Sequence, residues 1–245
     1  MYKDRLRNWI SGIAFHTHSR LDELLTEKEG LLEFATHDST ISTEALVWYA
    51  KEFSGDHNIV ICDTDHPIHI LDRKGVSRKG SFNPSKLPST IEVISKGVIE
   101  RARLLKEADF GGNILTGVEA DILGSDGRLN VKNEVLKELD IVIASIHYSQ
   151  WLEHNGGGPT STFWVDGILH ATQNCHVDVI GHPARNYERN VGEGKIEDWE
   201  IVFGVMSETS VAFEINLYDY EVSTPPQMEF RRKLIAKAAE RDVKF

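Results

Sequence analysis

Cysteine is scarce: 245 residues hold two, Cys62 and Cys175, with no Cys-x-x-Cys pair. That scarcity argues against a disulfide framework and against a cysteine-built zinc site, and Cys62, inside the apolar NIVICDTDH, reads as a small buried hydrophobe. Long apolar runs are missing too. No stretch reaches the roughly 18 residues a membrane-spanning helix needs, and the N-terminal MYKDRLRNWISG is too polar for a signal peptide, so a cytoplasmic protein is expected. Positive charge is in deficit, 27 Lys and Arg against 38 Asp and Glu for a net charge of −11. Such a balance disfavours long nucleic acid as a partner while leaving room for a local basic groove. There is no dinucleotide-binding glycine fingerprint, internal repeat or low-complexity tract, and no composition shift marks a second domain, so residues 1–245 read as one domain.

What is present suits a packed globular core: 40% hydrophobic and 27% charged residues. Six apolar runs of strand length recur, WISGIAFH, NIVICDTDH, GNILTGVEAD, LDIVIASIH, HVDVIGHP and SVAFEIN. Between them lie segments with three- and four-residue apolar spacing: STEALVWYAKEF, STIEVISKGVIERARLLKEA, VKNEVLKEL, STFWVDGILHATQN, KIEDWEIVFGVMSE and PPQMEFRRKLIAKAAER. Strands alternating with helices predict a parallel sheet, and this many units without the glycine fingerprint favour a closed barrel. Three stretches break the rhythm and read as insertions or loops: LDELLTEKEGLLEFAT, PIHILDRKGVSRKGSFNPSKLPS and WLEHNGGGPTS.

The strand ends carry the chemistry. His16 and His18 close the first; Asp63, Asp65 and His66 the second; Glu119 and Asp121 the third; His147 the fourth; His182 the fifth; Glu214 and Asn216 the sixth. In a parallel barrel these ends share one rim, where such folds place their active sites. Any one of them reads equally well as a helix cap or a hydrogen-bonded histidine. Their coincidence at all the strand ends is what predicts a metal site. Imidazoles with carboxylates and no thiolates suit Zn, Mn or Fe rather than calcium. Glu119, between the two histidine groups, is the candidate bridge for two ions about 3.5–4 Å apart, a spacing that activates water and clamps phosphate esters.

In this order HTHS, TDH, GVEAD, ASIHY, DVIGHP and FEIN resemble the successive motifs of the PHP domain, the polymerase and histidinol phosphatase superfamily, from about Gly12 to Phe245. The resemblance implies a distorted (β/α)7 TIM-like barrel holding two or three divalent transition-metal ions and hydrolysing phosphoesters. It implies that His16 and His18 hold one ion, Glu119 bridges, His147 and His182 complete a second, and His66 with Asp38 contributes to a third. Asp38, in HDSTISTEAL, is preferred over Asp22 or Glu23 because a Thr and a helix start follow it. The family's Asp-x-His after a seventh strand is absent, so a truncated final strand is expected at DVKF, with the parent protein continuing beyond Phe245.

Arg185 is a candidate for substrate phosphate through its planar guanidinium fork. Arg189 and Arg20 have weaker claims, and a basic loop, Arg73, Lys74, Arg78 and Lys79, offers a way to attract a phosphorylated ligand, against the plain alternative of a solvated surface. The expected substrate is a small phosphomonoester, a nucleotide or a nucleic-acid end. An amidohydrolase-type enzyme wants a bridging lysine where Glu119 stands. A non-catalytic or regulatory PHP-like module of a larger protein is the alternative from a different class.

Overall fold

The computed structural model describes residues 14–17, 60–107, 114–158, 160–185, 187, 196–216 and 224–245. Six strands form one sheet: β1 (Ala14–Thr17), β2 (Val60–Asp65), β3 (Ile114–Asp121), β4 (Ile141–Ser145), β5 (Val179–Gly181) and β6 (Ala212–Phe213). They lie in chain order, and every neighbouring pair is parallel. Each falls inside a run expected from the sequence, except that β1 reaches one residue further, to Thr17. Parallel neighbours need long crossovers. Seven helices are described: α1 (Pro67–Arg73), α2 (Leu87–Glu107), α3 (Asn133–Leu136), α4 (Tyr148–Asn155), α5 (Ser161–Thr172), α6 (Glu200–Thr209) and α7 (Pro225–Glu240).

Two of these helices correct the sequence reading. The polar stretch beginning PIHILDRKG opens with α1, where Pro67 starts the helix, His66 caps it, and Ile70 and Leu71 are buried. Its basic, glycine-punctuated continuation hides this short amphipathic turn. Likewise WLEHNGGGPTS opens inside α4, which stops at Gly156 with φ 70°, a left-handed position suited to glycine. KIEDWEIVFGVMSE divides into a 3-10 turn, Ile196–Trp199, and α6, while VKNEVLKEL keeps only the four residues of α3. The insertion LDELLTEKEGLLEFAT and the helix expected in STEALVWYAKEF lie outside the described residues.

Both faces of the sheet are packed, which explains the nearly continuous apolar strands. Val118, Ala120, Val142, Ala144, Ile180 and Phe213 join the helices in the main core. On the other face, Leu115, Ile141 and Ile143 cluster with Val179. Alternation along a strand sets Glu119 and Asp121 on the side of Leu115, away from the helices. That side is crowded: a Cβ at Gly117 would stand 2.6 Å from Ile141 Cγ2.

Two aspartates, Asp140 buried and Asp178 half-buried, pin the strand register. Asp140 Oδ2 accepts from Thr116 N–H at 3.0 Å and from Thr116 Oγ1 at 2.8 Å; Asp178 Oδ2 accepts from Val142 N–H at 3.0 Å. Beyond α7 the chain returns to the sheet. Ala212 and Glu214 donate to the carbonyls of Asp178 and Ile180, and between them Phe213 N–H donates to Lys244 O at 2.8 Å. That single bond sits where the strand expected at DVKF would pair, although those residues are not assigned as strand.

Candidate metal centre

Glu119 and Asp121, two apart on β3, are 2% and 0% exposed. His147 follows β4 as the N-cap residue of α4, with no side-chain capping bond to hold its ring. His182 follows β5 at φ +28°, a backbone conformation costly for a residue with a Cβ. A tether holds it there: His182 N–H donates to Glu214 Oε2 at 2.5 Å.

These residues meet. His182 Nε2 lies 2.8 Å from Glu119 Oε1, and His147 Nε2 lies 3.5 Å from the same oxygen. On its other side the His147 ring meets Asp121, with Nδ1 2.6 Å from Oδ1. Asn130 brackets that carboxylate: its Nδ2 donates to Asp121 Oδ2 at 2.5 Å, and its Oδ1 accepts Asp121 N–H at 2.9 Å. His66 Nδ1 accepts Ile68 N–H at 3.1 Å, so the neutral ring carries its proton on Nε2, 3.4 Å from His147 Nε2. Two sets, His66, Asp121 and His147, and Glu119, His147 and His182, each bring ligand atoms within 4.8 Å of one another. His147 belongs to both.

The electrostatics ask for a cation. Burial, the strongest influence on Asp121, raises its pKa, and the charge of Glu119 adds to the rise against the hydrogen bonds from His147 and Asn130. Burial alone would lower the pKa of His147. Asp121 and Glu119 outweigh it and hold that pKa above the usual histidine value, with the Arg185 charge opposing them. A carboxylate oxygen this buried, faced by two imidazole nitrogens, needs a proton or a metal ion among them. The donor set fits a borderline transition metal.

Of the residues expected to form the site, Glu119, His147, His182 and His66 converge. His66 carries a tension, because an ion on its Nε2 would move the ring proton to Nδ1 and cost the Ile68 cap. For His16 the backbone alone is described: it pairs with Cys62, which pairs in turn with Leu115. His18, Asp38, Asp22, Glu23, Arg20 and Arg189 lie outside the described residues. Arg185 N–H donates to His182 O at 2.9 Å, which keeps this residue beside the site. The basic loop is partly neutralised: Lys74 pairs with Glu100 at 2.6 Å, and Arg78 pairs with Asp72. Sequence reasoning missed Asn130. The turn signal SDG before it, which folds Leu129 back against Ile122, was the available clue.

Comparison with known proteins adds a direction. Several similar curated proteins are named probable phosphatases. An 81-residue stretch, 33% of this chain, is 38% identical to a probable phosphatase of Caldanaerobacter subterraneus subsp. tengcongensis and covers 30% of it. A 138-residue stretch, 56% of the chain, is 30% identical to a probable phosphatase of a Shewanella species and covers 50% of it. A 133-residue stretch, 53% of the chain, is 35% identical to the DNA polymerase/3'-5' exonuclease PolX of Bacillus subtilis and covers 20% of it. The chain thus spans half the length or less of these curated relatives. No protein-family model matches the chain. The similarities support a relation to phosphatases in general.

Proposed function

We propose that this chain is a metal-dependent phosphoesterase of the PHP type, acting on a small phosphomonoester, a nucleotide or a nucleic-acid end. The observation that carries the reading is the Glu119 carboxylate oxygen shared by His182 Nε2 at 2.8 Å and His147 Nε2 at 3.5 Å. Divalent Zn, Mn or Fe ions held by Glu119, His147 and His182, with His66, His16, His18 and Asp38 as further ligands, would supply an activated water and a clamp for phosphoryl oxygens. Glu119 would hold the ions with its buried carboxylate. With an ion bound, His147 and His182 would turn ring nitrogens to it, each from the turn that follows its strand. Arg185, anchored through its backbone to His182, would meet a phosphate oxygen with its guanidinium. In this reading the parallel sheet would be most of a distorted (β/α)7 barrel, and the Phe213–Lys244 bond supports a seventh strand beside β6.

The test is hydrolysis of p-nitrophenyl phosphate after dialysis against EDTA and reloading with Mn or Zn. Turnover that depends on the added metal, and that falls more than about 100-fold in Glu119→Gln, is expected. Unchanged turnover in that variant with unchanged metal content removes the bridging role.

A further inference from the structure

We propose that Asp121 is a positioning residue rather than a metal ligand, and that Asn130 gives it that role by fixing His147 as the Nδ1–H tautomer with Nε2 turned to the metal centre. The inference deepens the proposed function and rests on it for the presence of the metal. Three observations converge.

The first is that both oxygens of the Asp121 carboxylate are engaged, Oδ1 with His147 Nδ1 at 2.6 Å and Oδ2 with Asn130 Nδ2 at 2.5 Å. The second is that the Asn130 amide has one sensible orientation. Its oxygen must accept Asp121 N–H at 2.9 Å, which turns its NH2 toward Oδ2, and Asn130 N–H donates back to Asp121 O at 3.1 Å. Asn130 is fully buried, so no solvent competes for these bonds. The third comes from the far side of the imidazole. In the neutral, metal-free rings Ile68 N–H occupies His66 Nδ1, so the His66 proton lies on Nε2, 3.4 Å from His147 Nε2, which then offers a lone pair. A lone pair on Nε2 places the His147 proton on Nδ1, where Asp121 accepts it. Carboxylates that orient a ligating imidazole in this way fix its tautomer and strengthen its basicity.

A chemical swap tests this. In Asp121→Asn the new amide can still accept the Nδ1 proton, but its NH2 then opposes the NH2 of Asn130. In the double variant Asp121→Asn/Asn130→Asp every donor again faces an acceptor, with the negative charge moved one residue away from His147. Zn affinity by calorimetry and the His147 tautomer by 15N NMR at alkaline pH are the readouts. The single variant should lose about 10- to 100-fold in affinity and populate the Nε2–H tautomer. The double variant should recover the Nδ1–H tautomer and most of the affinity. If Asp121 is itself a ligand, the double variant stays as weak as the single one, and the proposal fails. It fails equally if the single variant keeps wild-type affinity and tautomer. Should Asp121→Asn not fold, Asn130→Ala provides the same readouts, with a mixed tautomer expected and a wild-type one overturning the idea. A wild-type protein that binds no metal would defeat the proposed function, whereas the metal-free tautomer measurement would still judge the positioning claim.

Discussion

Gly181 shows how tightly single residues constrain the site. A Cβ there would overlap Ser145 Oγ and stand 2.8 Å from Ile143 Cγ2 and 3.5 Å from Glu214 Oε2, one residue before His182. Gly181→Ala should therefore cost about 1–3 kcal/mol of stability by overpacking and also weaken metal binding, read by urea denaturation and metal titration on the same sample. A loss of stability with full metal affinity would show that His182 tolerates the shift. The Glu214 tether makes a companion prediction. Glu214→Ala should release the strained His182 backbone and lower metal affinity, while Glu214→Gln, which keeps an acceptor oxygen for His182 N–H, should retain most of it in the same titration. At this scale the sequence was readable where a residue type implied its own chemistry: His66, Glu119, His147 and His182 sit at or just past strand ends and lie together. Asn130 was not readable, because its importance arises only when a turn folds it back against Asp121.

Elements were legible in proportion to their burial. The strands announced themselves because packing on both faces forces nearly unbroken apolar runs. Helices α1 and α4 did not, since one or two buried turns leave too few apolar positions to show a period among polar neighbours. Register was illegible for another reason: it depends on Asp140 and Asp178, which look like ordinary loop acids until their backbone partners are known. Asp140→Ala would strand the buried Thr116 N–H and hydroxyl, at about 1–3 kcal/mol for each unmet group, so the urea midpoint should fall with little change in slope. Between α6 and α7, Glu200 receives Lys237 Nζ at 2.8 Å and Arg241 at 2.5 Å. The Lys237 hydrogen bond, and then that of Arg241, hold its pKa below the usual glutamate value despite some desolvation. A depressed carboxylate stabilises the fold above its unfolded pKa, and that stabilisation is lost as pH falls through the folded value. Acid unfolding curves should therefore show Glu200→Gln converging with wild type below the ordinary carboxylate range and separating from it above. Parallel curves at every pH would contradict the linkage.

At the scale of the whole molecule, the sheet divides two tasks. One face carries the carboxylates and imidazoles of the candidate centre; the other carries the helices and the main core. The alternation of strand-length and helix-spaced runs pointed to a parallel α/β protein, and that much holds, because the alternating pattern survives any local misreading. Among the described residues no helix is long and apolar enough to cross a membrane. On the helical side runs a row of rings: Trp151, Trp164, Tyr187, Trp199, Phe203, Phe213 and Phe245, with successive centroids 5.5–6.5 Å apart. Close, asymmetric packing of this kind gives a near-ultraviolet circular dichroism signal that disappears when side-chain packing loosens, even if helices persist. The row is thus a built-in optical gauge of the core, separated by the sheet from the carboxylates and imidazoles. Chelation should leave that spectrum nearly unchanged while emptying the centre, and heating should erase it.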